Sequence, residues 1–352
     1  MNISPLSRER LLRAKVSYTP RHVNLEAAVT LLAGDDVEPK AGDLVLARIE
    51  KIGQHAALEL TTSRRSSLFP GDEIVVCYGN RYAPDQYEAE VPHNLDACHL
   101  VAAGGIAARA LSWHVGIKPP TAIVPIGLLA DAKGQRINLS GAAIVKPGSS
   151  FPLPYTVAVV GTSMNAGKTT TAVNLIHGLK NAGLKVGATK VTGTGSGKDV
   201  GFMGDAGARL ALDFTDAGFA STFRLTAAEV EGIFTTLTSH LAKAGMDVIV
   251  LEVADGLYQD ETAALLGSAA FKKLVNSVIF AAGDAMGAMA GVEWLRRKGL
   301  PVVAVSGLLT ASPLAVIEAA NATGMPILDK NMLRDVTIAT KLEISAKIEP
   351  SS

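Results

Sequence analysis

The sequence predicts an α/β protein in which a parallel sheet is covered by helices on both faces and preceded by a smaller β-rich module. Three observations carry this. From about residue 155, short apolar runs alternate with longer amphipathic segments, the rhythm of buried parallel strands joined by crossover helices. Before about residue 150, shorter strand-like runs are separated by Gly, Pro and Ser. Between them Pro147-Gly-Ser-Ser-Phe-Pro-Leu-Pro154 interrupts both rhythms, which sets the expected domains at 1–150 and 151–352.

At 352 residues, 48% hydrophobic and 19% charged, the chain is long enough to bury a core in each of two domains. Basic and acidic residues number 33 each, so no net charge draws the protein to nucleic acid or an anionic membrane. The segment Met1-Asn-Ile-Ser-Pro-Leu-Ser-Arg-Glu-Arg10 lacks the apolar core of a signal peptide. No stretch of about twenty residues stays apolar without charge, Pro or Gly. A cytoplasmic protein with no nucleic-acid and no membrane partner is therefore expected. Cys77 and Cys98 are too few for a disulfide framework, and His93, Cys98 and His99 match no common zinc spacing.

In the first module Asp43–Ile49, Ala57–Leu60 and Asp72–Tyr78 read as strands of a small β module, consistent with a barrel. Ala102–His114, rich in alanine, reads as a helix, and Ile123–Leu129 as a strand before the turn Asp131-Ala-Lys-Gly134. Tyr78-Gly-Asn-Arg-Tyr-Ala-Pro-Asp-Gln-Tyr-Glu88 has two readings: a substrate loop acting through Arg81 and its tyrosines, or a hairpin with a polar tip. In the second module the expected strands are Val157–Val160, Lys185–Thr189, Asp247–Leu251, Ser277–Ala281 and Val302–Ser306. Helices are expected near 169–182, 226–244, 286–298 and 313–323.

The chemistry centres on Gly161-Thr-Ser-Met-Asn-Ala-Gly-Lys-Thr-Thr170, which follows the apolar run 157–160 and opens a helical pattern. A strand, a glycine-rich loop and a helix N-terminus suit a polyphosphate, because free N–H groups wrap its oxygens and the helix end adds partial positive charge. The expected phosphate contacts are Gly161, Thr162, Asn165, Ala166, Gly167, Lys168, Thr169 and Thr170. Lys168 reaches the outer phosphates and Thr169 ligates Mg²⁺. Five residues separate Gly161 from Gly167, one more than the common P-loop pattern, and Thr162 stands where glycine is usual. ATP is the expected nucleotide. GTP stays open, since no Asn-Lys-x-Asp run supplies a guanine-reading aspartate.

Residues at the carboxyl ends of neighbouring strands decide what is done with the phosphate. Lys190 ends one strand and leads into Val-Thr-Gly-Thr-Gly-Ser-Gly197, whose amides and hydroxyls, Thr194 among them, suit an acceptor anion. Asp205 precedes a helix-like stretch, as a cap or as a metal ligand. Asp247-Val-Ile-Val-Leu-Glu-Val-Ala-Asp-Gly256 ends in Glu252 and Asp255, placed as a Walker B carboxylate would be, with Glu252 the stronger metal candidate.

These elements together resemble the dethiobiotin synthetase family and its relatives among the cobyrinic and cobyric acid synthases. The likeness rests on GTSMNAGKTT, on the Lys-x-x-x-x-Gly run from Lys190, on Asp205 and on LEVADG at 251–256. It implies that Lys168 and Thr169 hold phosphates and Mg²⁺, that Asp205 and Glu252 complete the metal site, that Lys190 faces the acceptor, and that the protein is a homodimer. Met164, Asn165 and the run Glu252-Val-Ala-Asp-Gly256 depart from the dethiobiotin synthetase pattern, so biotin synthesis is not expected. Ser163 replaces the loop lysine of the MinD and ParA type, whereas MobB-like nucleotide-binding proteins stay open.

Two functions follow. The first is an Mg-ATP-dependent ligase or phosphotransferase that activates a small carboxylate by γ-phosphoryl transfer, with Lys168 and Lys190 as its catalytic cations and Lys190, Thr194 and Arg81 on the acceptor. The alternative is a nucleotide-binding switch or accessory NTPase acting on a macromolecular partner through the β-rich module.

Overall fold

The computed structural model describes residues 2–149 and 151–344. Its contacts divide the chain into two compact units. The first runs up to Ile144 and includes two later segments, Gly193–Lys198 and Phe214–Arg224. The second holds Val145–Thr192, Asp199–Asp213 and the chain from Leu225 onward.

In the first unit the strands are β1 (Asn2–Pro5), β2 (Lys15–Val16), β3 (Thr30–Ala33), β4 (Leu44–Lys51), β5 (Ala57–Glu59), β6 (Arg65–Ser67), β7 (Glu73–Tyr78), β8 (Arg81–Tyr82), β9 (Tyr87–Glu90), β10 (Cys98–Ala102), β11 (Ile106–Trp113) and β12 (Thr121–Ala130). A short helix α1 (Arg8–Arg13) follows β1. β12 pairs β4, β4 pairs β7, β7 pairs β11, β11 pairs β10, and β10 returns to β12, so five strands close a ring. Closure removes the free sheet edges there. Alternate residues of β4 and β7 enter two different cores, Leu44, Leu46, Val75 and Cys77 in one and Val45, Ala47, Ile74 and Val76 in the other. Both faces are thus covered, which explains why these strands read as unbroken apolar runs.

The expected helix Ala102–His114 is instead the strand β11, entered through Gly105 at φ +97°. Its alanines favour a helix by propensity, yet Ala107 and Ala108 are fully buried between neighbouring strands, where small side chains let the ring close.

The second unit follows the expected alternation: β13 (Tyr155–Gly161), α2 (Lys168–Asn181), β14 (Val186–Lys190), α3 (Gly197–Asp205), β15 (Leu210–Asp213), α4 (Ala227–Lys243), β16 (Val248–Glu252), α5 (Asp260–Gly267), α6 (Ala269–Leu274), β17 (Ser277–Ala281), α7 (Ala285–Arg297), β18 (Val302–Ser306), α8 (Pro313–Thr323), α9 (Lys330–Arg334) and α10 (Ile338–Lys341). Its six strands run in the order β15-β14-β16-β13-β17-β18, and every pair is parallel. The central strands are apolar on both faces because helices cover both, and Val157, Val159, Leu175, Ile176, Val248 and Val250 share one core. Among the described residues no helix is long and apolar enough to cross a membrane.

Candidate functional site

Strand register builds the site. Val159 of β13 lies opposite Glu252 of β16, and Glu252 lies opposite Lys190 of β14, so the strand leading to the glycine-rich loop, the carboxylate and the second lysine meet at one carboxyl edge. Ligands of open α/β sheets bind at such an edge. The loop itself turns through Asn165 at φ 63° and Gly167 at φ +98° before α2 begins. A Cβ on Gly167 would stand 3.0 Å from the Cα of Gly307 in a backbone conformation that side chains disfavour, so glycine is required there. A Cβ on Gly256 would collide with the carbonyl of Thr162, which is why the carboxylate segment must end in glycine to lie against the loop.

Lys168 is buried and its Nζ donates to Ser163 O at 2.7 Å, reaching back across the loop. Burial lowers its pKa, opposed by the charges of Glu252 and Asp255. Thr169 Oγ1 donates to Glu252 Oε1 at 2.9 Å. Glu252 is 1% exposed, and its other oxygen, Oε2, is buried with no hydrogen-bond partner. Burial raises the Glu252 pKa, and Lys190 and Lys168 pull it back. An orphaned carboxylate oxygen beside a threonine hydroxyl at the start of a loop helix is the donor set a hard divalent cation needs, so these residues fit Mg²⁺.

Lys190 Nζ forms a close ion pair with Asp199 of α3 and lies 3.8 Å from Glu252 Oε1. Burial works against its charge, but the two carboxylates outweigh burial and raise its pKa. Asp199 had no distinctive signal in the sequence. It becomes visible only when α3 starts at Gly197 and turns back toward the strand it left.

Asp205 is placed elsewhere. Rather than opening a helix it ends α3, where Gly207 at φ +103° stops the helix, and it lines a cleft of about 340 Å³ with Val173, His177 and Phe202. Six residues along a helix are about 9 Å and a different face, so Asp205 does not share the side of α3 from which Asp199 pairs with Lys190. The metal role expected for Asp205 thus gains no support from its placement, and Asp199 is the α3 carboxylate paired with Lys190 at this edge.

Arg81 is also corrected. Its guanidinium is buried in the first unit and donates to Val101 O and to Gln86 Oε1 at 2.8 Å, which ties the β8–β9 hairpin to β10. The anion cradle expected around Thr194 is committed as well. Gly193 N donates to Thr222 Oγ1, Gly195 N to Ala220 O and Gly197 N to Glu59 Oε2, each at 2.9 Å and all within the first unit.

Beside the loop, a cleft of about 300 Å³ is lined by Gly167, Thr170, Gly307, Leu308, Asp329 and Asn331 among others. Leu308 N donates to Ala166 O at 2.9 Å, so the segment after β18 is fastened to the glycine-rich loop. Motif spacing in the sequence points neither to this cleft nor to Asp329.

No family model matches the chain, and no curated protein matches it. Solved structures do. The signal recognition particle 54 kDa protein from Aeropyrum pernix K1 in complex with GDP is 20% identical over 56% of this chain and 47% of that chain, with a TM-score of 0.38. The signal recognition particle receptor FtsY from Elizabethkingia anophelis is 18% identical over 58% and 69%, with a TM-score of 0.37. Chloroplast FtsY from Physcomitrella patens is 16% identical over 54% and 62%, with a TM-score of 0.37. This chain thus spans about half the length of the first of these. With its parallel sheet, glycine-rich loop, helix entry and adjacent carboxylate strand, the second unit has a P-loop NTPase fold.

Proposed function

We propose that the second unit binds a nucleoside triphosphate with Mg²⁺ at Gly161–Thr170 and hydrolyses it as a nucleotide-dependent switch or accessory NTPase acting on a macromolecular partner. Glu252 carries the reading, since it is buried, held by Thr169 through one oxygen and unbonded at the other. Thr169 and Glu252 would hold Mg²⁺, which when bound neutralises and orients the outer phosphates. Lys168 places an ammonium on those oxygens. The α2 N-terminus and loop amides fix their orientation. Lys190, held by Asp199, adds a second cation where charge builds up during phosphoryl transfer. The cleft lined by Leu308 and Asp329 would take the nucleoside, with ATP or GTP as the guest.

The switch reading is preferred to a small-molecule acceptor because the amides near Thr194 and the Arg81 guanidinium already have partners. Carboxylate activation by γ-phosphoryl transfer stays as a second reading on one observation, the second lysine at the same carboxyl edge. Homodimerisation and a cytoplasmic location belong to the proposal too. Phosphate release separates the two readings. A switch hydrolyses slowly alone and ignores small carboxylic and amino acids, whereas a release rate that rises only when one such acid is added would overturn the preferred reading.

A further inference from the structure

The hairpin around Arg81 leaves its tyrosines unexplained once the arginine turns inward. In the first unit Tyr82, Gln86, Tyr87, Glu88, Trp113 and Phe223 line a cleft of about 400 Å³. Tyr82 and Phe223 lie 5.5 Å apart between ring centroids, and Trp113 is 46% exposed at the end of β11, where the strand has left the ring of the barrel. The pairing of β11 with β9 shifts register between Ala110 and Ser112, which sets Ser112 opposite Glu88 and Trp113 opposite Tyr87. Successive pairs face opposite sides of the hairpin, so Trp113 and Glu88 meet only at its rim, where both line the cleft with Tyr82 and Phe223.

The charges select the guest. Glu88 is exposed and accepts from Ser112 Oγ at 3.1 Å, while Arg224, over the Phe223 ring at 5.3 Å, is held by Glu90 at 2.6 Å. His114 also lines the cleft, and its Nδ1 accepts from Gly116 N. Glu90 offsets the Arg224 charge, so the Glu88 carboxylate at the rim disfavours an anion and gives a neutral guest no partner. A soft organic cation satisfies both the aromatic rings and the carboxylate. We propose that this cleft binds a small molecule bearing an alkylated ammonium group, with Trp113, Tyr82 and Phe223 against the ammonium and Glu88 as its counter-charge. The volume suits a small molecule rather than an extended peptide.

Trp113 and Trp294 are the two tryptophans, so the full chain carrying Trp294→Phe reports on Trp113 fluorescence alone. Tetramethylammonium and choline should produce a saturable change, with choline about tenfold tighter than its neutral isostere 3,3-dimethylbutan-1-ol. Glu88→Gln should weaken choline by about tenfold and leave the neutral isostere unchanged. Trp113→Ala, followed by calorimetry, should abolish choline binding without shifting the thermal midpoint. Equal affinity for the neutral isostere, or no saturable response to either cation, overturns the proposal. Tighter binding of trimethyllysine within a peptide than of free trimethyllysine overturns the small-molecule assignment in favour of a protein partner.

Discussion

At the scale of single residues, the site depends on a few side chains whose charges are set by burial and register. Asp199→Asn should remove the nearest carboxylate partner of Lys190 and cut nucleotide turnover by about tenfold or more, whereas Asp205→Asn should leave turnover unchanged. Steady-state phosphate release on the two variants distinguishes them, and equal losses would restore Asp205 to the site. Glu252 gives a pH signature. Its carboxyl is raised above the ordinary range by burial, and Mg²⁺ needs the ionised form, so Mg²⁺-nucleotide affinity should fall as pH is lowered through that raised range. Glu252→Gln should bind Mg²⁺ more weakly and with no such slope, measured by calorimetry across pH. The sequence points to Lys168, Thr169, Glu252 and Lys190 because Lys168 follows a glycine, Thr169 follows that lysine, and Glu252 and Lys190 end apolar strands, and the structure gathers them at one edge. The sequence hides Asp199, whose role comes from the direction α3 takes, and it misdirects Arg81, whose burial depends on a carbonyl twenty residues away at Val101.

Among secondary elements, helix ends and close helix contacts hold the frame that positions the loop. α4 begins with a capping box in which Thr226 accepts from Glu229 N and Glu229 returns to the Thr226 N–H. Thr226→Ala should cost about 1 kcal/mol in chemical denaturation. On α2, a Cβ at Gly178 would collide with the carbonyl of Leu333 in α9, so Gly178→Ala should destabilise by roughly 1–3 kcal/mol despite alanine's better helix propensity. An increase in stability would show that α9 can move away at little cost. The long elements were legible because period and punctuation agreed. β15, α3 and the short helices α5, α6, α9 and α10 were not, because segments of a turn or two carry too little periodicity to separate helix from loop. β11 is a strand despite its alanines because helix propensity is overridden once a closed ring demands small side chains.

Across the whole molecule, two separately cored units sit on one chain that crosses between them more than once, since Gly193–Lys198 and Phe214–Arg224 count with the first unit. The sequence suggests a single linker at 147–154, because no composition change marks those later crossings. The first unit should be acid-sensitive through His55. Burial, aided by the nearby Arg81 charge, lowers its pKa from 6.5 to about 4 while Nε2 bonds Val101 O at 3.0 Å. A histidine depressed in the folded state binds fewer protons there than when unfolded. Its stabilising contribution is therefore present above pH 6.5 and lost as pH falls toward 4, by up to roughly 3 kcal/mol. Urea midpoints of the wild type and His55→Gln should converge over that window, and parallel curves would contradict this.

Isothermal titration of the wild-type protein and Lys168→Ala with ATP and GTP, with and without Mg²⁺, tests the central claim that the loop at 161–170 grips a triphosphate. The account predicts one saturable, Mg²⁺-strengthened site for at least one of the two nucleotides in the wild type, and its loss in Lys168→Ala. Absence of heat with both nucleotides, or binding that survives the substitution unchanged, would contradict it.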